Sequence, residues 1–425
     1  MRRELKVVPA SRRVSGHIRD LQKDSLGHMM RSHLNHGHVL GMRLGPRWLY
    51  SFSHPEDVEE ILKTSWKLYS KRTRVYELLV PLLGTGLFTS DGQVWVAKRK
   101  RAHGAFRPGM LEQYSKVMEE EADMLACSLK EGSVVELEAL AARTALQIVA
   151  RNTLGMSLSP DEVRRIREGL AGSIEGITER LHSVLSPPLW VPTRTNRRLK
   201  KALESLHGAV DDIMRRGNPA SGGLASVLVE SGVTGDELRD ELITFIFAGH
   251  ESTATALMWT LLLLSRHPEV EGALVEEITG AREDVGDMPF LDGVVREALR
   301  LFPPQWGQGR NADEDGVVGD VVVPKGTIVG IHSWVTHRHP DFWEEAEAFR
   351  PMRWEGMSAE RRKAWFPFGK GPRQCIGQAF AMMELKILLA KVLPRVRLEI
   401  EDTVPTAGIV LRPAGVMRAR VTARA

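Results

Sequence analysis

Phe368-Gly369-Lys370-Gly371-Pro372-Arg373-Gln374-Cys375-Ile376-Gly377 is the stretch on which the reading of this chain turns. A glycine-rich loop ends on a cysteine, and a helix is predicted to begin at Cys375 or Ile376. The N-terminus of a helix carries partial positive charge and unpaired backbone N–H groups. Both favour thiolate over thiol, the form a metal ligand must take. Gly369, Gly371 and Gly377 permit positive φ and a close backbone approach to a flat cofactor. Phe368 is placed to shield the sulfur, and Arg373 to pair with a carboxylate. A lone cysteine ahead of a helix is more often a small buried residue. That ordinary reading is given to Cys127, mid-helix between Leu125 and Leu129.

Working outward, Thr234-x-x-Glu237 reads as a capping box that opens a long helix running to about His267-Pro268. Within it, Ala248-Gly249-His250-Glu251-Ser252-Thr253 sets Phe245, Ala248, Gly249 and Ser252 on one face by the 3.6-residue period. Small residues there leave room for a cofactor and a diatomic ligand, with an acid and an alcohol adjacent. A further helix starts near Met288-Pro289 and stops at Pro303-Pro304, carrying Glu297-Ala298-Leu299-Arg300 with both charges on one face.

The rest of the chain reads as mainly α with a minor β region. A hairpin is predicted over 39–52 around Gly45-Pro46, helices over most of 55–181, short strands over 317–323 and 327–331, irregular chain over 339–368, and a small sheet after 395. Three prolines keep 186–192 from being helical throughout, so it is either a mobile lid or a braced connector. A single large domain over 1–425 is expected, with 1–35 an N-terminal segment lacking a membrane anchor. No apolar stretch follows the N-terminus, and 257–264 reads as a buried helix rather than a span.

With 425 residues, 43% of them hydrophobic and 26% charged, the chain is of ordinary globular composition. Two cysteines exclude a disulfide framework and zinc ribbons and point to a reducing, cytoplasmic location. The formal charge of +4 includes basic clusters at 98–101 and 361–363. No aromatic interleaving accompanies them, which disfavours nucleic acid and leaves an acidic partner or a solvated face. Among fourteen histidines, His33, His36 and His38 have polar neighbours and no acidic support, and are read as surface residues.

The loop around Cys375 matches Phe-x-x-Gly-x-Arg-x-Cys-x-Gly, and on these residues the chain resembles the cytochrome P-450 superfamily. Five further blocks agree with it. Glu297 and Arg300 match the family's Glu-x-x-Arg pair, and Phe349-Arg350-Pro351-Met352-Arg353-Trp354 is similar to its Pro-Glu-Arg-Phe box with Met352 for Glu, implying a structural latch of Glu297, Arg300 and Arg353. Residues 248–253 match (Ala/Gly)-Gly-x-(Asp/Glu)-Thr-Thr, with Ser252 for the usual Thr. Trp95-Val96-Ala97-Lys98-Arg99 matches Trp-x-x-x-Arg, and Arg310 in Gly307-Gln308-Gly309-Arg310 matches a propionate arginine. The resemblance runs from about Val39 to Val396, and Arg373 in place of His is similar to the soluble bacterial branch.

The resemblance implies haem b (iron protoporphyrin IX) ligated by Cys375, cradled by Phe368, Gly369, Gly377, Ala248 and Gly249, with its carboxylates met by Trp95, Arg99, Arg310 and Arg373. It implies dioxygen as cosubstrate, with Ser252 and Glu251 delivering protons and Thr253 beside them. Ser252 keeps the hydroxyl but lacks the methyl that restricts its rotamer. The chain has no dinucleotide or flavin module after Cys375. Electrons are therefore expected from a ferredoxin or flavodoxin and its reductase, so that NAD(P)H acts only indirectly. Lys98, Lys100, Arg101 and Lys370 are expected to form the docking face. The substrate is expected to be an apolar small molecule (fatty acid, terpenoid or polyketide-like). Its pocket is expected to involve Phe245, Gln305, Trp306 and Gln308, with 75–87, 186–192 and 406–409. Gln305 and Gln308 either orient a polar group or cap the turn. The protein is expected to be a monomer. A peroxide-driven peroxygenase and a haem-binding sensor or carrier are the alternatives, both disfavoured by the acid–alcohol pair.

Overall fold

A computed structural model describes residues 4–10, 15–183, 186–216, 222–280 and 285–424. Residues 1–3 and 11–14 of the expected N-terminal segment lie outside the described residues. Contacts divide the chain into two compact units interleaved in sequence.

The first unit comprises Met1–Thr73, Trp259–Gln378 and Asp402–Gly415. Its centre is a six-stranded sheet in the order Lys6–Val7, Val39–Leu44, Arg47–Phe52, Ile328–Ile331, Gln308–Ala312, Tyr69–Ser70. The hairpin 39–52 pairs Leu44 with Arg47 across Gly45-Pro46. Gly45 takes φ +61 at the first loop position, as a two-residue II′ turn requires, and proline's fixed φ suits the second. Val39, Phe52, Ile61, Tyr69, Val329, Ile331 and Phe366 pack as one buried cluster. Phe366 thereby anchors the approach to the cysteine loop. The segment 317–323 is a two-strand hairpin, Gly316–Val318 with Val321–Val323.

The second unit comprises Arg74–Met258, Ala379–Glu401 and Val416–Ala425 and is mostly helical. Helix Pro160–His182 opens with a capping box in which Ser159 and Glu162 satisfy each other's backbone. Its Gly169, Gly172 and Gly176 lie against Leu206, Ala202 and Leu199 of Arg194–Arg216, where a Cβ would come within 2.8–3.0 Å of a side-chain carbon. The expected small sheet after 395 forms as Val396–Ile400, Arg418–Ala423 and Val134–Glu136, all antiparallel.

Glu237, in the first turn of the long helix, turns its Oε1 to Lys98 and Arg101. One expectation is corrected here. Cys127 is exposed near the end of helix Pro108–Ser128, not a buried filler, since its position falls outside the face buried by Ala122, Leu125 and Ala126. Among the described residues, no helix is long and apolar enough to cross a membrane.

Candidate functional site

In the first unit, helix Pro289–Leu301 presents Glu297 and Arg300 one turn apart, both completely buried. Arg300 donates from Nε and Nη2 to the Glu297 carboxylate at 3.0 and 2.8 Å. Arg353 Nε reaches the same carboxylate at 2.8 Å, Trp354 Nε1 at 3.0 Å and the Arg350 backbone N–H at 3.1 Å. The remaining guanidinium N–H groups of Arg300 go to the carbonyls of His337, Ala346 and Ala348 at 2.7, 2.6 and 3.1 Å. Glu297 thus takes three donors from 350–354 while its partner Arg300 holds the carbonyls of 337, 346 and 348, and together they fasten 337–354 onto the helix.

That anchorage continues to the cysteine. Burial holds the His337 imidazole well below its ordinary value, so it is neutral, and its Nε2 accepts the Phe366 N–H at 2.9 Å. Gly369 N–H then donates to Phe366 O at 3.0 Å, and Cys375 N–H to Phe368 O at 2.9 Å. Gly369 and Gly371 take φ +70 and +69. A Cβ on Gly371 would lie 2.1 Å from Leu62 O, so the close approach this glycine permits is to neighbouring backbone. The final helix begins at Gln378, two to three residues beyond the expected start at Cys375 or Ile376, after a 3₁₀ turn over Gly371–Arg373 and a turn at Ile376-Gly377. The Cys375 N–H is consequently spent on Phe368 O rather than standing as an unpaired helix-end donor.

The Cys375 thiol itself is exposed and in no disulfide. Arg373 donates from Nη1 to Tyr69 O and stacks 5.0 Å over the Trp66 ring. Arg310, buried on strand Gln308–Ala312, donates to Gly309 O and Gln308 Oε1, both at 2.8 Å. Gln308 is therefore occupied with Arg310, and Gln305 Nε2 caps the turn at Gly307 O. Trp306 Nε1 donates to Gly408 O at 2.9 Å, joining the segment to the hairpin 405–413.

In the second unit, Phe245 packs 6.0 Å from Phe106 on the long helix Gly235–Arg266. Ala248 is exposed, and Gly249 and Ser252 are partly so. Glu251 and Thr253 are buried. Ser252 Oγ donates to Ala248 O at 2.7 Å, one turn back along its own helix. Gly249 also packs closely: a Cβ would strike Val149 Cγ2 at 2.3 Å, so its smallness serves helix packing. Glu384 on the final helix is wholly buried, and burial pushes its carboxyl well above the usual range, with the Thr253 hydroxyl opposing. Sequence reading passed over this acid, whose only signal was its place among Met382, Met383, Leu385 and Ile387.

Trp95 is buried and Arg99 half-buried on helix Gly92–His103. Lys98 on the same helix is 6% exposed in its side chain and bridges Glu237 and Glu241 at 2.8 and 2.9 Å, and Arg101 meets Glu237 at 3.0 Å. Burial pulls the Lys98 ammonium down, and the two carboxylates more than offset it, leaving it above its usual value. Lys98 is thus buried behind its acids and withdrawn from the expected docking face, while Arg101, 38% exposed in its side chain, pairs with Glu237 at the surface. The loop 186–192 is a braced connector: Asn196 Nδ2 holds Pro188 O and Val191 O at 2.9 Å, and Arg180 holds Pro187 O at 2.8 Å.

The residues fit a haem-thiolate group. One soft, accessible thiol stands at a braced loop of the first unit, which also carries the buried guanidinium of Arg310 and the half-buried one of Arg373, groups of the type that meets carboxylates in fork geometry. A family profile described as "Cytochrome P450" matches residues 9–420. Pentalenene oxygenase of Streptomyces avermitilis is 32% identical over 440 residues, covering 98% of this chain and 97% of that protein. The ultra-long-chain fatty acid omega-hydroxylase of Homo sapiens is 30% identical, covering 87% and 78%. Among solved structures, a cytochrome P450 from Thermus thermophilus superposes with a TM-score of 0.83 at 28% identity, covering 98% of this chain and 100% of that one.

Proposed function

Since the chain belongs to the cytochrome P450 family and is a monooxygenase of it, we propose that it oxidises an apolar terpenoid skeleton with electrons from separate redox proteins. One oxygen atom of dioxygen enters a C–H or C=C bond of the substrate, and the other leaves as water with two electrons and two protons. The observation that carries the reading is the exposed thiol of Cys375 at the end of a loop braced by Glu297, Arg300 and His337. The terpenoid class is supported by the oxygenases from Streptomyces among its relatives, and the human fatty acid hydroxylase at similar identity is the competing class.

When bound, haem supplies a thiolate-ligated iron that activates dioxygen. Cys375 would hold it as thiolate, and Arg99, Arg310 and Arg373, with Trp95, would meet its carboxylates. Ser252 holds its hydroxyl proton on Ala248 O and must rotate Oγ–H away to give it up, a motion the missing methyl leaves unrestricted. Glu251, buried next to it, is the group that would restore the proton through water. The latch acts by position only: it holds the chain that leads into the cysteine loop.

For the electron donor we place docking on the other basic cluster. Arg362, Lys363 and Lys370 line an open pocket of about 300 Å³ with Phe366, Phe368 and Gln374, next to Cys375 in sequence. Glu59 is its single acid. An acidic ferredoxin or flavodoxin has the complementary charge.

The test is reconstitution of the haem-loaded protein with a surrogate ferredoxin, its reductase, NADPH and ¹⁸O₂. A cyclic terpene hydrocarbon, palmitate and a macrolactone are offered in parallel. The proposal predicts a substrate-induced spin shift and a product bearing one labelled oxygen from the terpene. Turnover confined to palmitate would overturn the substrate class. Replacing Arg362, Lys363 and Lys370 by Gln should slow reduction about tenfold at low salt and converge with wild type at high salt. An unchanged rate would remove the docking assignment.

A further inference from the structure

His38 and His54, flanking the hairpin 39–52, meet His339 and Asp341 from the far side of the sequence at one edge of the first unit. His38 Nε2 lies 2.9 Å from Asp341 Oδ2, across a separation of 303 residues. His339 Nδ1 lies 3.7 Å from the same oxygen. The three ligand atoms fall within 4.8 Å of one another. The rings of His38 and His339 are 4.6 Å apart, and that of His54 stands edge-on to His38 at 5.4 Å. Phe342 lies 5.1–5.4 Å from all three and walls the cluster with apolar surface.

The hydrogen-bond directions decide what belongs at the centre. Ser53 donates its hydroxyl to His38 O at 3.5 Å, so its Oγ is left to accept from His38 Nδ1 at 3.0 Å. With Nδ1 carrying the hydrogen, His38 Nε2 directs either a lone pair or a second proton at the Asp341 carboxylate. His339 Nδ1 accepts the Asp341 N–H at 3.3 Å, so it is unprotonated on that side. Two imidazole nitrogens and a carboxylate oxygen thus converge on one point, where a divalent cation would take the place of the proton that otherwise bridges His38 Nε2 and Asp341. Ligand atoms around a tetrahedral zinc, with bonds of about 2.0–2.2 Å, stand roughly 3.3–3.5 Å apart. The observed 2.9 and 3.7 Å bracket that spacing. Ser53 holds the far nitrogen of His38, as outer partners of metal-bound histidines do.

We propose that His38, His339 and Asp341 form a surface site for a divalent transition metal, zinc foremost, with solvent completing the coordination. Asp341 is well exposed, so the ion enters from water. Bound, it clips the start of the hairpin 39–52 to the turn after Ser333–Thr336 and closes a loop of some three hundred residues. This site is independent of the haem reading, and its ligands take no part in that chemistry. A second grouping, His17, Asp20 and His28, is the built-in control. There His17 and His28 already satisfy each other at 3.2 Å, and His17 Nε2 is engaged with Val8 O.

The test uses the untagged, haem-loaded full chain, stripped with chelator and dialysed against micromolar zinc. Zinc and iron per chain are measured by elemental analysis, and Tm is followed with and without zinc. One zinc per chain with a raised Tm is expected. Asp341→Asn and His38→Ala should each weaken binding at least about tenfold and abolish the rise in Tm, while His28→Ala leaves both intact. No zinc above background in the wild type would overturn the site, as would zinc that is lost in His28→Ala but kept in Asp341→Asn. A Tm lowered by Asp341→Asn without zinc binding would assign the cluster to a proton-bridged ion pair instead.

Discussion

Glu297→Ala removes the acceptor of five hydrogen bonds: two from Arg300, one each from Arg353, Trp354 and the Arg350 backbone. It leaves the Arg300 guanidinium fully buried and without its counter-charge. Breaking a buried pair in this way costs about 3–5 kcal/mol. Three backbone carbonyls continue to solvate Arg300, which places the loss at the lower end, about 3 kcal/mol. The unfolding entropy of a chain this long is roughly 0.9 kcal/mol/K, so calorimetry should show Tm lowered by about 3 °C if the chain melts cooperatively, and by about twice that if the first unit melts alone. Haem should also be retained less well, because Arg300 holds His337, whose ring receives the Phe366 N–H ahead of the cysteine loop. The double variant Glu297→Leu with Arg300→Met should be less destabilised than Glu297→Ala, since no buried charge is stranded at Arg300. A single variant within 1 °C of wild type, or a double variant worse than the single, would refute the reasoning.

Three other predictions follow from the geometry. Glu384 has a folded-state pKa far above its unfolded value, so its contribution to stability is full below about pH 4.5 and is lost as pH rises toward the folded pKa, by about 1.4 kcal/mol per pH unit. Glu384→Gln should therefore gain in Tm over wild type between pH 5 and pH 8, and a difference independent of pH would contradict the burial argument. Gly371→Ala must bear about 1 kcal/mol of left-handed strain and in addition push a Cβ against Leu62 O, whereas Gly415→Ala, at φ +89 with open space around it, bears the strain alone. Urea titration should separate the two by more than 1 kcal/mol, with haem lost from the first only. Lys98→Ala should cost about 3 kcal/mol because Glu241, 3% exposed in its side chain, loses its partner, while Arg101→Ala costs less than about 1 kcal/mol. Slowed reduction by a ferredoxin in folded Lys98→Ala would restore Lys98 to the docking face.

What could be read from the chain was what spacing along it determines. The cysteine loop is ten consecutive residues, and Glu297 with Arg300 is an (i, i+3) pair, so neither needs tertiary knowledge. The hairpin at Gly45-Pro46 was readable because glycine's positive φ and proline's fixed φ prescribe the turn. What escaped depends on partners far away in sequence. Lys98 looked like surface charge because Glu237 and Glu241 lie about 140 residues on. His38 was judged to lack acidic support because Asp341 lies 303 residues on. Gly249 reads as cofactor space from its motif, and that it is also a packing point is visible only once Val149 is placed against it. The start of the last helix was misplaced by two to three residues because Cys375 N–H has a loop carbonyl available, which a pattern of residue types cannot show.

The most direct test of the account is the carbon monoxide difference spectrum of the dithionite-reduced protein, recorded beside Cys375→Ala. A strongly red-shifted Soret band in the wild type, absent from the variant, is the predicted result and places a thiolate from Cys375 on the iron. A band like that of a histidine-ligated haem, or one that survives the substitution, would contradict the ligand assignment and the oxygen chemistry built upon it.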